Sequence, residues 1–373
     1  MKFTCVKTDL ERAAEIAERF TGKQSALPVL GQVLLTAHAK GVTLVATNLE
    51  HAAELSVPAR VMSEGRVSVP AKIFASLLQS FGDGEVRGEG ERGNLRLSTD
   101  SRESRLNGSL AEDFPIIPKV KKTDGKTYAV FSLDSALLGR ALTRVLPAVS
   151  VSEFKPELSG VFFGVEKNNL TLAATDTFRL AESVLPFLKN NNHTETEASF
   201  ILPHRSATEL SRLLEGGDGT VTVTVGDNQM SAETSRGVLT SRLIEGSFPD
   251  YKTIIPTRFA TSAYLTRDNA ARGVRAASIF ASKLQEINVR LSQKQIEIKA
   301  ANSDIGEYRT EYPASLTGKE IAMSFNWRYF LDGIQQMDDE EIFFGCNEVS
   351  SPALIRNKSH GAFTYVVMPI RIT

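Results

Sequence analysis

The chain repeats itself three times: across its 373 residues, three stretches of about 120 residues carry the same landmarks in the same order. Its fold must therefore be three copies of one domain, and its function must use that triplication. The first landmark is a strand pair closed by an acid or amide turn. It reads LGQVLLTAHAKGVTLVATN from Leu30, LSGVFFGVEKNNLTLAATD from Leu158 and LQEINVRLSQKQIEIKAAN from Leu284. In the second copy Val161, Phe163 and Val165, then Leu170, Leu172 and Ala174, keep the period of two expected of half-buried strands. Asn48, Asp176 and Asn302 close the three pairs and lie 128 and 126 residues apart.

The second landmark is a strand running into an amphipathic helix: VSVPAKIFASLLQSF from Val67, SFILPHRSATELSRLLE from Ser199 and AMSFNWRYFLDGIQQM from Ala322. Ile73, Phe74, Leu77, Leu78 and Phe81 recur at helical spacing, and Lys72, Arg205 and Arg328 align at the helix start. The third is a terminal proline turn, EDFPIIP from Glu112, GSFPDYKTIIP from Gly246 and VVMPIRIT from Val366. Each repeat opens with a strand and helix, from Phe3, Val130 and Ala263. One repeat thus reads β, α, several β, α, several β, which is an α+β domain.

Length agrees, since a chain of this size accommodates two to four domains. The boundaries are expected at residues 1–122, 127–256 and 257–373, with joints at KVKKTDGK (from Lys119) and TRFAT (from Thr257). Both joints are short, so neighbouring domains should pack in a row or an arc. The start, MKFTCVKTDLERAAE, has no apolar core for a signal peptide, and no run approaches a membrane span, so a cytoplasmic protein is expected. Cys5 and Cys346 lie in separate strand patterns without ligand spacing and are expected as buried free thiols.

Catalytic chemistry is thin. The five histidines (His38, His51, His193, His204 and His360) form no HExxH or HxH, so neither a metal nor another cofactor is called for. The single GxGxxG, from Gly88 to Gly93, runs into the strand pattern NLRLS, whereas a dinucleotide site needs a helix N-terminus; a hairpin turn is expected. Asp338 and Asp339 with Glu340 and Glu341 read as a solvated loop and strand entry. A repeat without a polar constellation unique to one copy argues against an enzyme. A nucleotide hydrolase using Asp113 or Asp250 and a DNA-free scaffold stay as alternatives.

Net charge is −1, yet cations gather on the paired helices of each repeat. They are Arg12, Arg19 and Lys23; then Arg140, Arg144, His204 and Arg205; then Arg267, Arg272, Arg275 and Arg328. Singly these are solvated helix faces. Recurring together, they suit weak phosphate contacts without base readout, with affinity falling steeply in salt.

Seven collinear motifs carry a family resemblance over the whole chain: the opening MKF, ALPVLGQVLL, VPAK, ATDTFRLA, GSFPDY, SFNWRYFLD and the terminal TYVVMPIRI. Together they resemble the bacterial DNA polymerase III beta subunit, the replicative sliding clamp. That resemblance implies a non-catalytic processivity factor of three clamp domains, helices on the inner face and sheets outside, closing as a head-to-tail homodimeric ring. Six copies of one unit close a ring with pseudo-sixfold symmetry. The implied partners are duplex DNA without regard to sequence, and the polymerase III catalytic subunit. The clamp loader, other polymerases and repair proteins complete them, binding through short linear motifs.

Carried over residue by residue, the resemblance places DNA contacts at Lys23, Gln24, Lys72, His204 and Arg205, with Gln24 standing where the family has a basic residue. It places a partner-peptide groove at Leu158, Thr175, Thr177, Phe178, Arg179, Leu180, Pro249, Ile254, Leu284, Asn326, Tyr329, Ser351, Val367, Met368 and Pro369, apolar walls with a few orienting polar groups. Without the resemblance, Leu158, Leu180 and Val367 read as plain core. Met368, flexible and near the chain end, suits a surface for several partners. The dimer interface falls at Leu106, Ile279 and Phe280, the last two an exposed apolar pair at a helix end. Thr177 and Phe178 replace a Gly-His pair of the family, Thr253 a basic residue and Leu284 an aromatic, and Thr373 extends the tail. Phe178 is expected to narrow or re-floor the groove, so that peptides optimal for other clamps bind more weakly.

Overall fold

A computed structural model describes residues 1–22, 27–120, 129–152, 154–187 and 197–371. The first repeat comprises β1 (Lys2–Val6), α1 (Lys7–Arg19), β2 (Gln32–His38), β3 (Gly41–Thr47), β4 (His51–Val57), β5 (Ala59–Ser63), β6 (Gly65–Pro70), α2 (Ala71–Ser80), β7 (Glu85–Glu91), β8 (Asn94–Ser98) and β9 (Glu103–Asn107). The second comprises β10 (Ala129–Asp134), α3 (Ser135–Val145), β11 (Gly160–Val165), β12 (Asn169–Thr175), β13 (Arg179–Pro186), β14 (Ala198–Pro203), α4 (His204–Leu214), β15 (Thr220–Val225), β16 (Gln229–Thr234) and β17 (Gly237–Arg242). The third comprises β18 (Thr261–Thr266), α5 (Arg267–Ser278), β19 (Glu286–Ser292), β20 (Gln295–Asn302), β21 (Gly306–Gly318), β22 (Ile321–Asn326), α6 (Trp327–Gln335), β23 (Glu341–Cys346), β24 (Ala353–Asn357) and β25 (Phe363–Val367). The three repeats read from the sequence fold alike. The expected boundary between 122 and 127 lies outside the described residues.

Local sequence explains the elements. In β2 every second side chain is buried, the pleat of a strand with one face on a core. Helix α1 buries Leu10, Ala13, Ala14 and Ala17, one stripe at 3.6-residue spacing. The GEGERG stretch is a hairpin between β7 and β8, as expected. Its glycines have packing reasons: a Cβ on Gly88 would lie 2.2 Å from the Phe3 ring, and Gly93 turns at φ 78°. Cys5 and Cys346 are buried and unpaired.

The described chain gathers into two compact units, and the division runs through the second repeat. One unit holds residues 1–139, 187–198 and 208–243. Its sheets run β5-β1-β7-β8-β9 and β10-β15-β16-β17-β4-β3-β2-β6. Here β17 adds antiparallel to β4, with Ser241 opposite His51. The other unit holds residues 140–186, 199–207 and 244–373. Its sheet runs β14-β11-β12-β13-β25-β24-β23-β18-β21-β20-β19-β22. Here β25 adds antiparallel to β13, with Arg179 opposite Val367. Both junctions between successive repeats are therefore the same strand addition.

Candidate functional site

The acid turn that closes the second strand pair is held by its own side chains. Asp176 Oδ1 accepts from the Phe178 and Arg179 amides at 3.0 Å each. The Thr175 hydroxyl donates to the Arg179 carbonyl at 2.7 Å and accepts from the Thr177 amide at 3.1 Å. Together they hold Thr177 at φ 76°, a left-handed backbone that a β-branched residue adopts only under constraint. Phe178 is thereby carried outward, with 59% of its surface exposed.

Arg179 is the anchor of the site. Its Nε donates to Asp176 Oδ2 at 2.9 Å, its Nη1 donates to the Asp332 carboxylate of α6, and its guanidinium lies 4.2 Å from the Tyr329 ring centroid. Burial opposes its charge, but the Tyr365 and Asp176 neighbours more than offset this and raise its pKa. Burial holds the Asp332 carboxyl above its ordinary pKa, a larger effect than the opposing pull of Arg179. The Tyr365 hydroxyl, pushed up by burial, donates to the Tyr329 carbonyl at 2.9 Å. Helix α6 can lie here because residue 333 is glycine: a Cβ on Gly333 would meet the Tyr365 ring at 2.4 Å.

The N-terminus of α6 is capped by Asn326, whose Oδ1 accepts from the Arg328 and Tyr329 amides at 3.0 and 3.4 Å. Trp327 ties the preceding loop to it, donating from Nε1 to Gln285 Oε1 at 2.7 Å and from its amide to the Gln285 carbonyl at 2.9 Å. Leu284 is thus fixed beside this cap, and it is 69% exposed. On the other flank the Met368 amide donates to the Phe178 carbonyl at 2.8 Å, which brings the chain end onto the turn. Leu180, Tyr251, Leu354 and Val366 bury together, with Phe162 and Phe248 packed on them. The Tyr251 hydroxyl donates to Glu182 Oε2 at 2.7 Å.

The resulting surface has exposed apolar side chains at Phe178, Ile254 and Leu284. Tyr329, Ser351 and Met368 are half-buried, and Pro249 and Thr177 exposed. Leu158, Leu180, Val367 and Pro369 are buried, so they can supply only the floor. Thr175, Arg179 and Asn326 spend their polar groups inside the protein, holding the walls in place. Asp332 and Tyr365, absent from the residues expected, complete the support. Their signal in the sequence is an arginine opening a mostly apolar strand, and an acid one turn beyond Tyr329 on the same helical face. Among the described residues no three acidic, histidine or cysteine side chains gather to hold a metal ion.

Models of the N-terminal, central and C-terminal domains of the DNA polymerase III beta subunit match residues 1–118, 132–250 and 252–371. The chain belongs to the DNA polymerase III beta subunit family. The beta sliding clamps of Synechocystis sp. and Escherichia coli K12 are each 28% identical to it, over the full length of both chains. The crystal structure of the Thermotoga maritima DNA polymerase III beta subunit matches with a TM-score of 0.91 at 26% identity, covering all of both chains. A Pseudomonas aeruginosa sliding clamp bound to griselimycin matches equally, with a TM-score of 0.91, 26% identity and full coverage of both chains.

Of the beta-subunit positions expected to meet DNA, Lys72 and Arg205 stand at the second residue of α2 and α4, both exposed, and His204 opens α4. Burial lowers the pKa of His204. Lys23 and Gln24 lie outside the described residues. Arg144, expected on a free basic face, instead pairs with Asp338 and lies 5.6 Å from the Phe363 ring centroid. Arg267 likewise donates to the Met337 and Asp338 carbonyls at 2.9 and 3.2 Å, closing the end of α6. At the expected interface Ile279 is exposed, but Phe280 is half-buried and stacked on Tyr308, and Leu106 is buried in its own sheet. The Asp338–Glu341 acids lie on an exposed loop and strand entry, as expected, where Asp339 Oδ2 accepts from the Ser359 amide and Glu341 pairs with Lys358.

Proposed function

We propose that this beta-family chain, a sliding clamp without catalytic activity of its own, closes as a head-to-tail homodimeric ring around duplex DNA and tethers polymerases to it. The observation that carries the ring is a strand junction made twice within the chain and left half-made at both ends. β17 completes β4 and β25 completes β13. Among the described residues β9 is an edge strand, and Gly306–Pro313 of β21 pairs only with β20.

The equivalence of the repeats supports one register for this junction. The Ser109, Ile244 and Ile370 amides donate to the Ser68, Ile201 and Ser324 carbonyls, at 2.9, 2.9 and 2.7 Å. These bonds make Leu106, Ser241 and Val367 equivalent. The amide turns make His51, Arg179 and Ile305 equivalent. Leu106 then falls opposite Ile305 of the partner subunit, and Ser104 opposite Glu307 of the partner subunit. Leu106 contributes through its backbone, which reconciles its burial with an interfacial place. A Ser104→Cys, Glu307→Cys protein should form a covalent dimer under mild oxidation, because opposed residues place their Cβ atoms about 4.5–5.5 Å apart. A protein that stays monomeric under denaturing electrophoresis refutes this register.

Inside the ring Lys72, Arg205 and His204 supply sequence-blind phosphate contacts, and the family resemblance supports the same role for Lys23 and Gln24. The groove around Arg179 takes short linear motifs of partner proteins, consistent with the griselimycin complex of the Pseudomonas clamp. Phe178, exposed at its rim, narrows the groove rather than re-flooring it. The three domains run over 1–122, 127–256 and 257–373, and the protein works in the cytoplasm, where bacterial DNA lies. Griselimycin titrated into the wild-type protein and into Met368→Asp tests the groove: binding lost in the variant supports it, and equal binding refutes it.

A further inference from the structure

The first repeat junction has the same frame as the second and borders an open cavity of about 400 Å³. Asn48 Oδ1 accepts from the Glu50 and His51 amides at 3.0 and 2.9 Å, as Asp176 does one repeat later. The Thr47 hydroxyl donates to the His51 carbonyl at 2.9 Å and accepts from the Leu49 amide at 3.0 Å. Leu49 stands at φ 75° and Thr177 at φ 76°. The Arg242 amide donates to the Glu50 carbonyl at 2.8 Å, the equivalent of Met368 to Phe178. The third turn, at Asn302, has Ala301 where the others have threonine, so this frame is complete only at the two junctions.

The frame is shared but the contents differ. The walls are apolar: Leu49 and Ile116 are exposed, with Ala52, Pro115, Ile117 and Pro118 beside them. The rim carries opposite charges, with exposed Glu50 in the place of Phe178 and exposed Arg242 in the place of Met368. The cavity lies within the size range of ligand pockets, about 300–1,000 Å³.

We infer that this cavity is a second peptide-docking site, taking an extended segment whose apolar side chains enter between Leu49 and Ile117, with an acid facing Arg242 and a base facing Glu50. The charges select the occupant: the groove around Arg179 presents apolar groups at both positions, so the two sites take different sequences. The inference borrows from the proposed groove only the likeness of frame.

The test uses the full-length protein and the capped peptide acetyl-Lys-photoleucine-Leu-Asp-amide, with cross-links mapped by mass spectrometry. Cross-links on Pro115–Pro118 or Thr240–Arg242 are expected. They should fall at least fivefold in Arg242→Glu and in Glu50→Lys, and persist in Met368→Asp. Circular dichroism checks that each variant is folded. Cross-links confined to Thr175–Leu180 and Val367–Pro369, or cross-links at the cavity indifferent to both charge reversals, would overturn the inference. Failure of the groove reading appears separately, as griselimycin binding that Met368→Asp does not change.

Discussion

Replacing Arg179 by methionine isolates what holds the groove together. The substitution keeps the length of the side chain and removes the one cation shared by Asp176, Asp332 and the Tyr329 ring. Deleting one partner of a buried ion pair costs about 3–5 kcal/mol, because the other charge stays behind unpaired. The Asp332 side chain is 33% exposed, so water recovers part of that cost. Loss of the cation–π contact adds about 1 kcal/mol. The net expectation is a loss of about 3 kcal/mol, which for a unit of this size lowers its Tm by about 6–12 °C. Urea and thermal unfolding followed by circular dichroism read the loss directly. Adding Asp332→Asn to Arg179→Met should restore about 1–2 kcal/mol, since it removes one stranded carboxylate. A loss below about 1 kcal/mol, or a double variant that is simply additive, would show that solvent screens the network and that the groove is held by apolar packing instead.

Four further outcomes follow from individual side chains. Asp332→Asn should become more stable relative to wild type as pH rises from about 4 to about 7. The raised pKa of Asp332 means that its stabilising contribution is full below the unfolded carboxylate value and is lost as pH climbs through its folded value; urea melts across that window that run parallel for both proteins contradict this. Thr177→Gly should raise stability by about 1 kcal/mol by relieving the φ of 76°, and calorimetry showing a lower Tm would argue that the threonine is unstrained. Phe280→Asp should give monomers by light scattering, since a charge beside Tyr308 would enter the proposed interface. Burial lifts the Cys5 thiol to about 12 and the Cys346 thiol to about 11, so iodoacetamide at neutral pH should leave the native mass unchanged.

The triplication was legible because it repeats patterns that secondary structure itself imposes: alternation in β2, a helical stripe in α1, an acid or amide closing each strand pair. The hairpin at GEGERG was legible for the same reason, since NLRLS alternates. Other features were not. Arg144 and Arg267 look like Arg140 and Arg272 in the sequence, because the partners that remove them from a free face, Asp338 and the carbonyls ending α6, are distant in the chain. Phe280 looked like exposed surface because Tyr308, on which it stacks, belongs to another strand. The support of the groove escaped for a related reason: Arg179 and Asp332 are far apart in sequence, and only the docking of α6 on Tyr365, permitted by Gly333, brings them together. The equivalence of the two junctions was present in Asn48 and Asp176, but the cavity beside Asn48 needed the strand addition of β17 to supply one of its walls.

The claim that matters most is that DNA is held by topology rather than by affinity. Retention on nicked circular DNA, after loading with a clamp loader shown to accept this protein, tests it before and after the circle is linearised. A ring should survive high salt on circles and run off the ends of linear DNA, because its phosphate contacts alone are weak and salt-sensitive. Equal loss from circles and linear molecules at the same salt would mean that the helix cations alone hold the DNA, and the closed ring would be wrong.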